Sequence, residues 1–172
     1  MPAEPAFFAP FMSSVMRIEP QWIDYNGHLN VAYYNVLFDR AVDELYDLLG
    51  LGPNYLKEHK HSTMVVEAHV RYLRELVESN PVRVSVQLLD HDEKRIQLFE
   101  QLVHAEDGWL AATSETMTVH VDMITKKVAP FPDGVMRRLA GLQAAHAQLP
   151  RPAAAGRRIA MPEQRPSAGI VR

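Results

Sequence analysis

The sequence predicts an α+β domain in which an antiparallel sheet curls round one long helix. Three observations carry that expectation. A single stretch, Val31 to Leu49, repeats its apolar residues with helical spacing over about five turns. Later stretches repeat with period two. Their order, one strand, one helix and then four strands in succession, leaves the strands to pair antiparallel with one another. At 172 residues, 47% hydrophobic and 23% charged, the chain suits one well-buried core and is short for two.

Residues 1–12 hold three prolines and three phenylalanines and read as an extended N-terminal arm. Ser14 to Ile23 is a short β-prone stretch. In the helix, Tyr34, Leu37, Phe38, Ala41, Leu45 and Leu48 form the apolar stripe, while Asp39, Arg40, Asp43, Glu44 and Asp47 gather opposite. Asn30 reads as the N-cap and Gly50 as the residue that stops the helix. Residues 52–62 read as a loop. In the next strand Met64, Val66, Ala68, Val70 and Tyr72 alternate with Val65, Glu67, His69, Arg71 and Leu73. Val82, Val84, Val86 and Leu88 mark another strand, and Arg95–His104 and Trp109–Val121 a hairpin turning at Glu106-Asp107-Gly108. Glu100 falls in line with Ile96, Leu98 and Leu102, which calls for a bulge or a buried polar role. A second helix spans Asp133–Ala147. The folded domain is thus expected over 13–147, followed by a Pro/Ala/Arg-rich extension over 148–172.

A single helix cannot cover both faces of such a sheet. The last four strands are expected as a meander that curls round it, with the remaining apolar surface buried in a homodimer or a dimer of dimers. The net charge of −3 gives no field for nucleic acid or an acidic membrane, although residues 150–172 carry +4 and leave −7 on the remainder. Cysteine is absent, which excludes disulfides, thiolate metal sites and a cysteine nucleophile. No window approaches the roughly 18 apolar residues of a membrane span, and the first residues lack a signal-peptide pattern, so a cytoplasmic protein is expected. Neither a G-x-S-x-G elbow nor a nucleotide-binding glycine motif occurs.

The densest chemistry lies just before the helix, in Trp22-Ile23-Asp24-Tyr25-Asn26-Gly27-His28-Leu29-Asn30. An acid, two amides, an imidazole, a phenol and an indole gather around one glycine. This run, followed by VAYYNVLFDRAVDELYDLLGL, VVEAHVRYLREL and the strands down to VHVDMITKKVAPFP, resembles the hot-dog-fold acyl-CoA thioesterases of the 4-hydroxybenzoyl-CoA thioesterase type. DYNGHLNVAYY is most similar to the thioesterases of carnitine breakdown that act on betainyl-CoA.

The resemblance implies that Asp24 is the catalytic acid. It either activates a water or attacks the carbonyl itself. Backbone N–H groups near Gly27 and the helix start would polarise the thioester oxygen, with Gly27 allowing close approach. Asn26 and His28 match positions that join the acid in related plant acyl-carrier thioesterases. Asn26 and Asn30 serve equally well as turn-stabilising residues. Glu67 is the second candidate carboxylate, on a strand the family uses to line the site across the dimer. Trp22, Tyr25, Tyr33 and Tyr34 are candidates for an aromatic cage round a trimethylammonium acyl group, and Arg71, Arg74, Arg95, Lys126 and Lys127 are available for CoA phosphates.

No cofactor is expected. Metal binding is not expected either, because Glu58-His59-Lys60-His61 lacks the i, i+4 histidine pair of a helical zinc site. Two other functions fit the same residues: an acyl-CoA hydratase or dehydratase using His28 with Asp24, and a non-catalytic acyl-CoA-binding module.

Overall fold

The computed structural model describes residues 6–161; Met1–Pro5 and residues 162–172, including Glu163, Arg165 and Arg172, lie outside the described residues. The long helix, α1 (Val31–Leu49), starts where expected. Asn30 Oδ1 accepts the Ala32 N–H at 3.0 Å, satisfying one of the orphan donors of the first turn. It stops at Gly50, whose φ of +73° is left-handed, and its N–H reaches the Tyr46 and Asp47 carbonyls. Leu37, Ala41, Leu45 and Leu49 have no exposed surface. Leu48, counted into the stripe by spacing, is 43% exposed, and Leu49 takes its place.

The expected 52–62 loop contains a helix, α2 (Pro53–His59), with proline in its first turn and Lys60 in a left-handed stop. Seven residues burying only Tyr55 give too little periodicity to read from sequence. The sheet comprises β1 (Phe11–Met12), β2 (Met16–Arg17), β3 (His61–Tyr72), β4 (Pro81–His91), β5 (Arg95–His104), β6 (Leu110–Asp122) and β7 (Lys127–Val128). Of the expected Ser14–Ile23 stretch only β2 is strand, before Pro20 opens a 3₁₀ turn over Pro20–Trp22; β1 precedes it, and both pair with β4. Sheet pairing therefore begins inside the arm, at Phe11.

The central path runs β1-β4-β5-β6-β3. β4, β5 and β6 form a meander, but β3 pairs with β6 instead of β4. Hairpin loops are about 2–5 residues long, and residues 73–80 exceed that. This connection runs from β3 at one end of the path to β4, three strands away, held by Leu29 N–H to Leu76 O at 2.7 Å and Ser79 N–H to Ile18 O at 3.0 Å. β3 also carries a bulge: Val65 faces Thr118 and Glu67 faces Met117, leaving Val66 as the extra residue. The simple alternation read from sequence therefore reverses there. Val65, Ala68 and Val70 share the face towards α1, while Met64, Glu67, His69 and Arg71 lie on the outer face.

The last helix, α3 (Asp133–His146), packs against α1 and β4. Its Arg138 Nε donates to Leu49 O at 2.7 Å, closing the end of α1. The segment after it crosses the outer face, where Gly156 N–H donates to Glu115 at 2.6 Å. Among the described residues no helix is long and apolar enough to cross a membrane.

Buried His146 links three segments. Its Nδ1 accepts the Leu88 N–H at 2.9 Å, and its Nε2 donates to Phe8 O at 3.0 Å. This geometry requires the neutral ring, and burial holds its pKa below the usual 6.5. The unfolded chain takes up this proton first, so stability should be full above about pH 6.5 and fall as the pH drops below it. Burial shifts His120 in the same direction. His146→Ala should cost roughly 1–3 kcal/mol in urea unfolding at pH 8 and make the acid loss shallower. A change in stability between pH 8 and 5.5 that is the same in wild type and His146→Ala would contradict this account.

Candidate active site

The polar loop is a closed backbone turn. Ile23 bridges Leu29, Asp24 N–H donates to His28 O at 2.9 Å, and Asn30 N–H donates to Trp22 O at 2.9 Å. Asp24 Oδ1 accepts the Asn26 N–H at 2.8 Å, an Asx turn that orients the carboxylate. Gly27 has φ +82°, which explains the glycine, and the space where a side chain would stand is open. Asp24 is half-buried and Asn26 exposed, so the acid sits at an accessible turn. Asn26 takes part through its backbone. Asn30 is the helix cap, and so has a structural part.

His28 is 3.1 Å from Glu75, a residue that sequence reading passed over. The imidazole expected to orient Asp24 is thus itself held by a carboxylate from the β3–β4 connection. The sequence signal for Glu75 was weak, because its contact depends on how that connection crosses the loop.

The four aromatics do not form a cage within the chain. Trp22 is buried, stacked on Tyr33 at 5.4 Å between centroids, with the Arg40 guanidinium 4.9 Å from its ring. Tyr34 is buried edge-on to Tyr72. Tyr25 is 97% exposed. Packing within the chain therefore engages Trp22, Tyr33 and Tyr34, while the Tyr25 ring stands free on the surface.

Within the chain Glu67 also lies apart from Asp24. The bulge turns it to the outer face, in a cleft with His69, Glu115, Arg157 and Arg158. Of the basic residues available for CoA, Arg74 lies over Trp109 at 4.1 Å and Arg95 pairs with Asp92 at 3.2 Å. In the Glu58–His61 run, His61 stacks on His120 at 5.1 Å.

The main cavity of the inner face, about 350 Å³, lies between α1 and the sheet. Asn35, Phe38 and Asp39 line it from the helix, Val65 and Ala68 from β3, and Glu100 from β5, with Ser114, Thr116 and Thr118 from β6. Glu100 is 1% exposed. One of its oxygens accepts from Thr116 Oγ1 at 2.9 Å, while Oε2 is buried without a hydrogen-bond partner. Burial pushes this carboxyl up to about 7, against the pull of the Ser114 and Thr116 hydroxyls. Its odd place in the strand alternation is therefore a buried polar role; β5 has no bulge at this position.

The long helix, curled sheet and acid-bearing loop together match one known architecture. A family model for the thioesterase-like superfamily matches residues 18–139, well over half of the chain. The chain belongs to the thioesterase-like superfamily.

Its fold is the hot-dog. The betainyl-CoA thioesterase of Pseudomonas aeruginosa is 38% identical over 146 residues, which cover 85% of this chain and 92% of that one. The L-carnitine dehydrogenase/betainyl-CoA thioesterase of Rhizobium meliloti is 37% identical over 83% of this chain, but the match spans only 29% of that longer protein. A Staphylococcus aureus protein solved in complex with CoA superimposes with a TM-score of 0.84 at 27% identity, covering 93% of this chain and all of that one. A candidate thioesterase from Pseudomonas putida gives 0.78 at 31% identity, covering 90% and 99%.

In this thioesterase-like chain Glu100 makes stability depend on pH. The folded carboxyl stays protonated up to about 7, whereas its ordinary value is 4.5. Between those values the unfolded chain releases the proton first, so Glu100 should lower stability as pH rises, by about 3 kcal/mol in full. Glu100→Gln should remove that decline and unfold at higher urea than wild type at pH 8. An unchanged slope would contradict the buried-acid assignment.

Proposed function

We propose that the protein hydrolyses a short acyl-CoA thioester to the free acid and CoA, with betainyl-CoA as the leading substrate. The observation that carries this reading is the 38% identity, over 92% of its length, to a relative named betainyl-CoA thioesterase. The CoA bound to a neighbour of TM-score 0.84 supports the same substrate class.

Asp24 is the reacting acid. In one route it takes a proton from a water whose oxygen adds to the thioester carbon. Collapse of the tetrahedral intermediate breaks the C–S bond, and the thiolate recovers the proton from Asp24. In the other, the carboxylate attacks directly, expelling the thiolate, and water then cleaves the mixed anhydride. Either route develops an oxyanion that N–H groups at the start of α1 are suited to stabilise. Asn26 and His28 support this loop, with His28 steadied by Glu75.

The working unit is proposed to be a cytoplasmic homodimer. The lack of cysteine fits a reducing compartment. Support for self-association comes from β3, paired only with β6 among the described residues and exposing Val65 at 57% and Val66 at 60%. Such an apolar edge is suited to cover by a second copy.

Acyl-CoA panels assayed with a thiol-trapping dye test the reaction. Wild type should release CoA, and Asp24→Asn should lose roughly 100-fold or more in kcat. Full activity in the variant would remove Asp24 from the mechanism. Hydration of crotonyl-CoA without thiol release, or binding without turnover, would replace the hydrolase reading.

A further inference from the structure

We infer that the cavity between α1 and the sheet is a cation-selective acyl subsite, in which the Glu100 and Asp39 carboxyl groups receive a quaternary ammonium. This inference rests on the betainyl-CoA reading above and assigns the recognition of that acyl group to named side chains. In place of the aromatic cage expected from sequence, the cavity offers two carboxyls set in a largely apolar lining.

Its position suits an acyl group. Asn35, on its rim, lies about one and a half turns beyond the cap Asn30, so the cavity flanks the half of α1 that carries the Asp24 loop. Its volume of about 350 Å³ is at the small end of ligand sites, which run roughly 300–1,000 Å³. A long acyl chain would need more room.

The lining is chemically one-sided. Glu100 and Asp39 are acidic, and no lining residue is Lys, Arg or His. The nearest guanidinium in sequence, Arg40, is engaged with Glu19 at 3.2 Å and with the Trp22 ring. Glu100 occupies a position on the inner face otherwise held by Ile96, Leu98 and Leu102, all fully buried. A carboxyl oxygen buried there without a partner costs stability, so a structural role does not account for it. A cation in the cavity does.

The details favour a quaternary ammonium over a primary one. Such a cation donates no hydrogen bond, so it requires negative charge and apolar or aromatic contact. Asp39 supplies a carboxylate, Glu100 a carboxyl that gives up its proton as the cation enters, Phe38 a ring, and Val65 and Ala68 apolar walls. In the low-dielectric interior a charge acts more strongly than at the surface. An anionic acyl group would be repelled by the same residues.

The test compares betainyl-CoA with 3,3-dimethylbutyryl-CoA, which has carbon in place of the quaternary nitrogen and is otherwise closely isosteric. The readout is the ratio of the two kcat/KM values, in which any general loss of activity cancels. Wild type should favour the cation by roughly 100-fold, and Glu100→Gln should reduce that ratio roughly tenfold or more, a step of about 1.4 kcal/mol. Asp39→Asn should reduce it as well and, being at an exposed helix position, decides the matter if Glu100→Gln does not fold. A wild-type preference that survives in the folded variants overturns the subsite and leaves the betainyl-CoA reading intact. Hydrolysis of the neutral ester with equal or greater efficiency by wild type overturns both.

Discussion

Everything in this fold depends on enclosing the apolar stripe of one helix. Leu37, Ala41, Leu45 and Leu49 are completely buried, and full burial of a leucine contributes roughly 1.5–3 kcal/mol. Among the described residues α1 is the longest helix, and the sheet curls round it, with Val135, Leu139 and Leu142 of α3 completing the same core. That requirement fixes the ends of α1, by Asn30 at the start and by Gly50 with Arg138 at the finish. It also fixes the Asp24 loop, because the chain reaches the cap through a backbone turn tied to Leu76 in the connection after β3.

A second constraint decides which side chains share the inner space with the helix. The extra residue at Val66 reverses the alternation of β3. Without it, Val65 and Ala68 could not face α1 together, since residues three apart on a regular strand point to opposite faces. The same bulge sends Glu67 and His69 outward, beside the segment after α3. One inserted residue thus separates a largely apolar cavity wall from a polar outer cleft.

Much of this was legible in the sequence, and the failures have physical causes. The α1 boundaries followed from period, cap and glycine, which are local properties. The hairpins of β4, β5 and β6 followed from short turns. The pairing of β3 with β6 was not legible, because it depends on where residues 73–80 cross, and no local pattern encodes that. In the loop, the turn glycine Gly27 and the cap Asn30 could be read because turn and cap geometry is local. Glu75 could not, since it meets His28 only through that crossing. The contacts of the aromatics were not legible either, because proximity in sequence says nothing about which neighbours occupy a ring; Trp22 stacks on Tyr33 beneath Arg40. Glu100 did announce itself, as a charge in an apolar register.

The two carboxyls that matter most, Asp24 and Glu100, are placed by opposite rules. Asp24 sits in an accessible turn that orients it through a backbone N–H, so it can meet water and a reacting carbonyl. Glu100 sits where solvent is excluded, with one oxygen held by Thr116 and the other left without a partner. A fold selected only for stability has better choices at that position: leucine or isoleucine, as its same-face neighbours in β5 show. An acid kept there keeps a standing cost, and that cost is offset only when something positive enters. On the proposed mechanism the reaction does not need a second acid at such a depth, since water and the thioester would meet at the Asp24 loop. Recognition does, because a methylated cation leaves few other handles. On that proposal the separation of the two carboxyls divides the work, with bond cleavage at the mouth of α1 and choice of acyl group along its flank.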